Sequence, residues 1–205
     1  VGSVRCVSET GHGDLDHAGG LQELRSRFPA SDLRVNRPDD PAYPCIFGWR
    51  WHWDGFDFRA LHPSPGLPYM GNDSSCVLGM RGAGGSLLLA GDISSPIESR
   101  LAVLADLQHA VLLVPHHGSK SSSDPVFIDS VQPELAVATA SLGNRFGFPT
   151  EDVRKRFRQA GVPLISTGAC GAVQILLAGG KIQSVRSARR ERIRIWRWPA
   201  ERNCP

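Results

Sequence analysis

Apolar positions in this chain alternate between two periods, and the switches between them mark its elements. Leu21, Leu24 and Phe28 recur at helical spacing and stop at Pro29, which predicts a short amphipathic helix. Trp49, Trp51 and Trp53 alternate with Arg50 and His52, and Phe56 and Phe58 follow an Asp54-Gly55 pair. Period-two aromatics around Asp-Gly predict a β-hairpin. Its aromatic face reads as core rather than as a platform for bases, and His52 and His62 read as structural. Residues 77–78, 87–89, 110–114 and 135–139 read as further strands, and 4–7 as the end of an early one. Helices fall between them. Pro96 opens one, with Ser94 or Ser95 as cap and Ile97, Leu101 and Leu104 as its stripe. Asp124-Pro125 caps a second over 126–131. Thr150 caps a third, with Glu151 and Asp152 suiting its dipole and Val153, Phe157 and Ala160 as its stripe. Three short strands follow at 164–166, 172–177 and 182–185, and a polar connecting stretch fills 30–44. Strands interspersed with helices predict an α/β (α+β) fold: a four-layer αβ/βα sandwich, two mixed sheets face to face with helices outside.

Candidate chemistry concentrates where predicted strands end. The stretch His12-Gly13-Asp14-Leu15-Asp16-His17 holds four potential metal ligands in six residues, and Gly19-Gly20 lets the backbone turn tightly after it. Two imidazoles and two carboxylates aimed at one point stay hydrated and repel unless a cation sits between them. Gly91-Asp92 closes the strand at 87–89, a place where the backbone holds a carboxylate still. The strand at 110–114 delivers Pro115-His116-His117-Gly118, followed by Ser119-Lys120-Ser121-Ser122-Ser123. One of these imidazoles can reach a metal while the other faces substrate or an acid. The Ser hydroxyls and Lys120 can meet phosphate oxygens.

Bulk properties narrow the picture. The chain has 205 residues, enough for one domain with a sizeable core. Its net charge of +3 does not argue nucleic-acid binding alone. The excess sits in a tail, where 186–202 carries seven Arg against Glu191 and Glu201, and Arg alternates with Ile and Trp over 192–198. This divides the chain into a domain over 1–186 and a basic tail over 187–205. Five Cys, odd in number and without C-x-x-C spacing, argue against both a disulfide framework and a thiolate zinc site. No apolar run approaches a membrane span.

Taken in order, these motifs resemble a known family. H-x-D-x-D-H-x-G-G at His12 is similar to the first metal motif of the metallo-β-lactamase superfamily, with Asp14 where a second His usually stands. That variant, with W-x-W-D-G at Trp51, L-H-P at Leu61, G-N-D-x-S-C-V-L at Gly71, L-L-x-G-D-I at Leu88, L-L-V-P-H-H-G-S at Leu112 and N-R-F-G-x-P at Asn144, resembles the C-terminal hydrolase-like domain of ComEC competence proteins. The resemblance implies a metallo-β-lactamase-like sandwich lacking its first strands, a piece of a longer inner-membrane protein. It implies His12, Asp14, Asp16, His17, Asp92 and His116 as metal positions, Asp92 bridging. Asp16, Asp92 and His117 would be catalytic. Asn72, Ser119, Lys120 and Ser121 would bind substrate, and Asn72 and Asp73 stand where the third-motif ligand is expected. Two divalent ions (Mn²⁺, Zn²⁺ or Mg²⁺) about 3.5–4 Å apart would activate water on a phosphodiester. The oxygen-rich donor set leans away from zinc alone. The implied partners are DNA, as a single strand, and a membrane channel of the same protein. One departure stands out: Phe148 occupies a position where relatives often carry His, and phenylalanine neither ligates nor transfers protons. A non-catalytic DNA guide, a hydrolase of another substrate and a structural remnant stay open beside the nuclease.

Overall fold

The computed structural model describes residues 12–29, 36, 45–191 and 204–205. The expected strand at 4–7, Cys6, most of the connecting stretch and tail residues 192–203 lie outside the described residues. In chain order the elements are α1 (Leu15–Ala18), α2 (Leu21–Arg27), β1 (Arg50–Trp53), β2 (Phe56–His62), β3 (Val77–Gly82), β4 (Gly85–Leu89), α3 (Ser95–Leu101), β5 (Val111–Leu113), α4 (Pro125–Val131), β6 (Leu135–Ala138), α5 (Glu151–Gln159), β7 (Leu164–Ser166), α6 (Thr167–Cys170), β8 (Val173–Ala178), β9 (Lys181–Ser187) and α7 (Ala188–Glu191).

Among the described residues, β1 to β7 form one sheet in sequence order. It is antiparallel from β1 to β4 and parallel from β4 to β7. The change follows from the connections. Asp54 (φ 49°) and Gly55 (φ 78°) both take the positive φ of a tight hairpin turn. Parallel neighbours instead need a crossover, which α3, α4 and α5 supply. One face packs Leu61, Val77, Leu88, Leu112 and Ala136 against Ile97, Phe127, Ile128, Val153 and Phe157. The other packs Leu135, Val137 and Ile165 against Ile175, Ile182 and Val185 of the β8–β9 ribbon. The expected sandwich is therefore present, with a two-stranded second sheet among the described residues. All parallel strands run toward one edge, so the segments after β4, β5 and β6 converge there.

Three readings change. The cysteines do pair: Cys45 with Cys76 and Cys170 with Cys204, across separations of 31 and 34 residues. Folding brings these partners together from distant segments, so local spacing carries no trace of the pairing. Ser94 does begin α3, but its hydroxyl donates to the Asp73 carboxylate (2.7 Å) instead of capping the helix. The aromatic hairpin face is only partly core. Trp49, Trp51 and Phe58 stack in a row, yet Trp53 is 47% exposed.

Candidate metal centre

The convergent edge assembles the first motif, Asp92 and the His pair. Asp14 starts α1 and stands 62% exposed, with Oδ1 3.4 Å from His12 Nδ1. The one-turn helix places His17 and the exposed Asp16 beside Asp92. Asp92 Oδ2 lies 3.2 Å from His17 Nε2, 3.5 Å from His117 Nε2 and 3.6 Å from His12 Nε2. Asp16 Oδ2 lies 3.4 Å from His117 Nε2. One donor atom from each of Asp16, His17, Asp92 and His117 falls within 4.8 Å of the others.

Electrostatics support this convergence. Burial alone would raise the Asp92 carboxyl, but the imidazoles of His12 and His17 and the charge of His117 outweigh it. The carboxyl is held well below the usual carboxylate range. Both nitrogens of buried His12 have no hydrogen-bond partner among the described residues, and neither has His117 Nε2. Buried polar atoms left so cost about 1–3 kcal/mol each. A divalent cation would engage the free His117 Nε2 and offset the mutual repulsion of Asp16 and Asp92, so the residues present fit a metal.

The two histidines of the second motif divide. His117 Nδ1–H donates to the Thr139 carbonyl at the end of β6 (2.7 Å), which orients the ring and turns Nε2 toward Asp16 and Asp92. His116 Nε2 accepts from the Asn72 amide (3.1 Å). Burial, more than the neighbouring charges, lowers the His116 pKa. Thus His117, expected as catalytic, stands in the group of donor atoms that could hold a metal. His116, expected as a ligand, meets Asn72, which was expected at substrate. Both histidines sit at positive φ (49° and 55°), a conformation that costs about 1–3 kcal/mol per residue and concentrates at functional sites.

Surrounding loops hold this geometry. Asp73 is spent on Ser94, not aimed at the donor group. Ser75 Oγ accepts from the Asp92 amide (2.9 Å). Ser119 and Ser121 bond each other through their hydroxyls (3.0 Å), and Lys120 is exposed. Ser75, Thr139 and Glu98 were not legible as site residues. Each acts through a backbone group, and only the folded geometry reveals such a contact.

Glu98 of α3 is fully buried and accepts the amides of Ser123 (2.6 Å) and Asp124 (2.8 Å), closing the serine loop. Burial pushes its pKa up to about 7 from 4.5. A raised folded pKa means the folded state binds the extra proton. The resulting stability is therefore present below about pH 4.5 and lost as pH rises through 7. The shift corresponds to about 3 kcal/mol. Glu98→Gln is expected to flatten the unfolding free energy between these pH values in denaturant titrations. An unchanged slope would remove Glu98 from this role.

Gly118 follows His117 at φ +88°, and a Cβ there would meet Pro149 Cβ at 2.4 Å and its Cα at 2.8 Å. Gly118→Ala should cost about 1–3 kcal/mol in urea unfolding and weaken metal binding by shifting His117. Unaltered affinity in a metal titration would show that this clash is absorbed elsewhere. A separate cleft of about 680 Å³ opens between Arg50, Arg59, Arg81 and His109, and no metal-centre residue lines it.

A sandwich with acids and imidazoles gathered at one edge defines a metallohydrolase fold. The family model of the metallo-beta-lactamase superfamily matches residues 12–138. The chain belongs to that superfamily. It is 37% identical over 179 residues to Competence protein ComA of Neisseria gonorrhoeae, covering 85% of this chain and 26% of that protein. It is 34% identical to the YcaI protein of Escherichia coli K12 (85% and 24% covered) and 31% identical to Recombination protein 2 of Haemophilus influenzae (80% and 21%). The chain thus spans about a quarter of the length of these relatives. A solved Thermotoga maritima structure, assigned as a Zn-dependent hydrolase of the superfamily, aligns at TM-score 0.37 with 11% identity. That alignment covers 65% of this chain and 72% of the other, too distant to argue from.

Proposed function

We propose that this chain is a metal-dependent phosphodiesterase that acts on DNA, as a single strand, during DNA uptake. The observation that carries the reading is the meeting of Asp16, His17, Asp92 and His117 within 4.8 Å. When bound, one or two divalent ions (Mn²⁺, Zn²⁺ or Mg²⁺) would supply positive charge that acidifies water and offsets charge developing on phosphoryl oxygens. Asp92 would be the shared donor between these ligands and the His12–Asp14 pair. His117, oriented by Thr139, would hold its Nε2 lone pair at the reacting centre. Lys120 and the hydroxyls of Ser119 and Ser121 would meet the strand's phosphates. Asn72 would align His116 rather than touch substrate.

The names of the relatives, a competence protein and a recombination protein, support a role in DNA uptake. A membrane-channel portion of the same longer protein would be the partner. The hydrolase unit would be residues 1–186 and the basic tail 187–205, whose end the Cys170–Cys204 bond ties back. No described helix is long and apolar enough to cross a membrane, which suits a domain attached to an inner-membrane protein. Two disulfides suit an oxidising compartment.

Phe148 favours a second reading. Its ring stands 5.9 Å from that of His116 and offers no donor, as a guide that binds DNA without cutting it would allow. End-labelled single-stranded DNA with metal-free protein separates the two. Cleavage restored by Mn²⁺, Mg²⁺ or Zn²⁺ is the expected result. Bound metal and bound DNA without cleavage would leave the guide.

A further inference from the structure

We propose that Phe146, backed by Phe148 and flanked by Arg145, is a stacking platform for one unpaired nucleobase of the strand being cut. The inference rests on the phosphodiesterase reading and names what that site selects: a single strand. Phe148 stands edge-on to His116. Phe146 stacks on Phe148 at 5.2 Å with 20° between the rings. The Arg145 guanidinium lies 4.6 Å over the Phe146 ring. A line of flat groups thus runs outward from His116, whose ring lies 6.5 Å from that of His117, and its outer ring, Phe146, is 59% exposed.

An aromatic ring left in solvent forgoes the gain of burial, yet the loop that carries this one is pinned beside it. Asn144 Oδ1 accepts from the Phe148 amide (2.9 Å), and Asn144 Nδ2 donates to the Phe148 carbonyl (2.7 Å). Pro149 packs on Gly118, and the Thr150 amide donates to the Gly118 carbonyl (2.9 Å). The loop is thereby tied on one side to the segment carrying His117. Such preorganisation lowers the cost of ordering a ligand.

The occupant follows from size, place and charge. A pair of rings matches one planar base, not the apolar face of a partner helix. Two ring contacts from His116, it meets what is covalently joined to a phosphate at the centre. Arg145 already stacks a flat cation on Phe146. A base that takes its place frees the guanidinium to pair a phosphate in a bidentate manner. A paired base has both faces stacked within its duplex, so only an unpaired strand can use the platform.

The test compares a short oligothymidylate with the same strand built from abasic nucleotides, using metal-loaded protein. Phe146→Ala should raise KM on oligothymidylate about 5- to 150-fold, the range for losing one stacked base. On the abasic strand the change should be under about twofold, and Phe146→Trp should restore KM on oligothymidylate. An equal penalty on both strands, or none on either, overturns the proposal while leaving the phosphodiesterase reading intact. If the wild-type protein cuts neither strand, that reading falls, and anisotropy binding of the same pair decides the platform. A Phe146-dependent preference for the strand with bases retains it, and its absence overturns it.

Discussion

Asp92→Ala is expected to remove metal binding and hydrolysis together while leaving the fold in place. The carboxylate touches three imidazoles, those of His12, His17 and His117, at 3.2 to 3.6 Å. Groups that only orient a metal ligand are worth about 10- to 100-fold in affinity or activity. A carboxylate at the centre of the donor set should therefore cost more than about 100-fold. Its backbone amide, which donates to Ser75 Oγ, survives the substitution. Metal content by elemental analysis, with circular dichroism alongside, measures the effect. A folded variant that retains metal would shift the centre to other residues.

Separating Cys45 from Cys76 should produce the largest loss of stability. The bond closes a loop 31 residues apart in sequence. Loop-closure entropy over that length amounts to about 3–4 kcal/mol, which lowers the melting temperature of a chain this size by roughly 6–16 °C. The effect should reach the site, because Cys76 follows Ser75, the acceptor for the Asp92 amide. The Cys45→Ser/Cys76→Ser variant is expected to melt earlier and bind metal more weakly. A melting temperature within a degree or two of wild type would mean the loop is held by its packing against Ala60 and Trp49 instead.

Much of the fold was legible because local rules and tertiary packing agree. The helix after Pro125 and the helix behind Thr150 each combine a cap residue with apolar side chains that the core then buries, and the Asp54-Gly55 turn sets the hairpin although its aromatic face is only partly covered. Phe127, Val153 and Phe157 are fully buried. Asp16 and His17 of the first motif, neighbours in sequence, do enter the candidate donor group. What sequence spacing does not encode is direction. Adjacent imidazoles at 116 and 117 look interchangeable in the chain. Positive φ at both, with Thr139 on one and Asn72 on the other, sends only His117 among the donors. Asp73 likewise reads as a ligand until the approach of Ser94 shows where its carboxylate is used. The disulfides join segments far apart in sequence, at separations of 31 and 34 residues.

Crystals of the protein grown with Mn²⁺, measured for anomalous scattering at the manganese edge, test the central claim most directly. At least one anomalous peak is expected among Asp16, His17, Asp92 and His117, with His12 beside it. Full loading with no peak at that edge of the sheet, or a peak held by other residues, would contradict the claim.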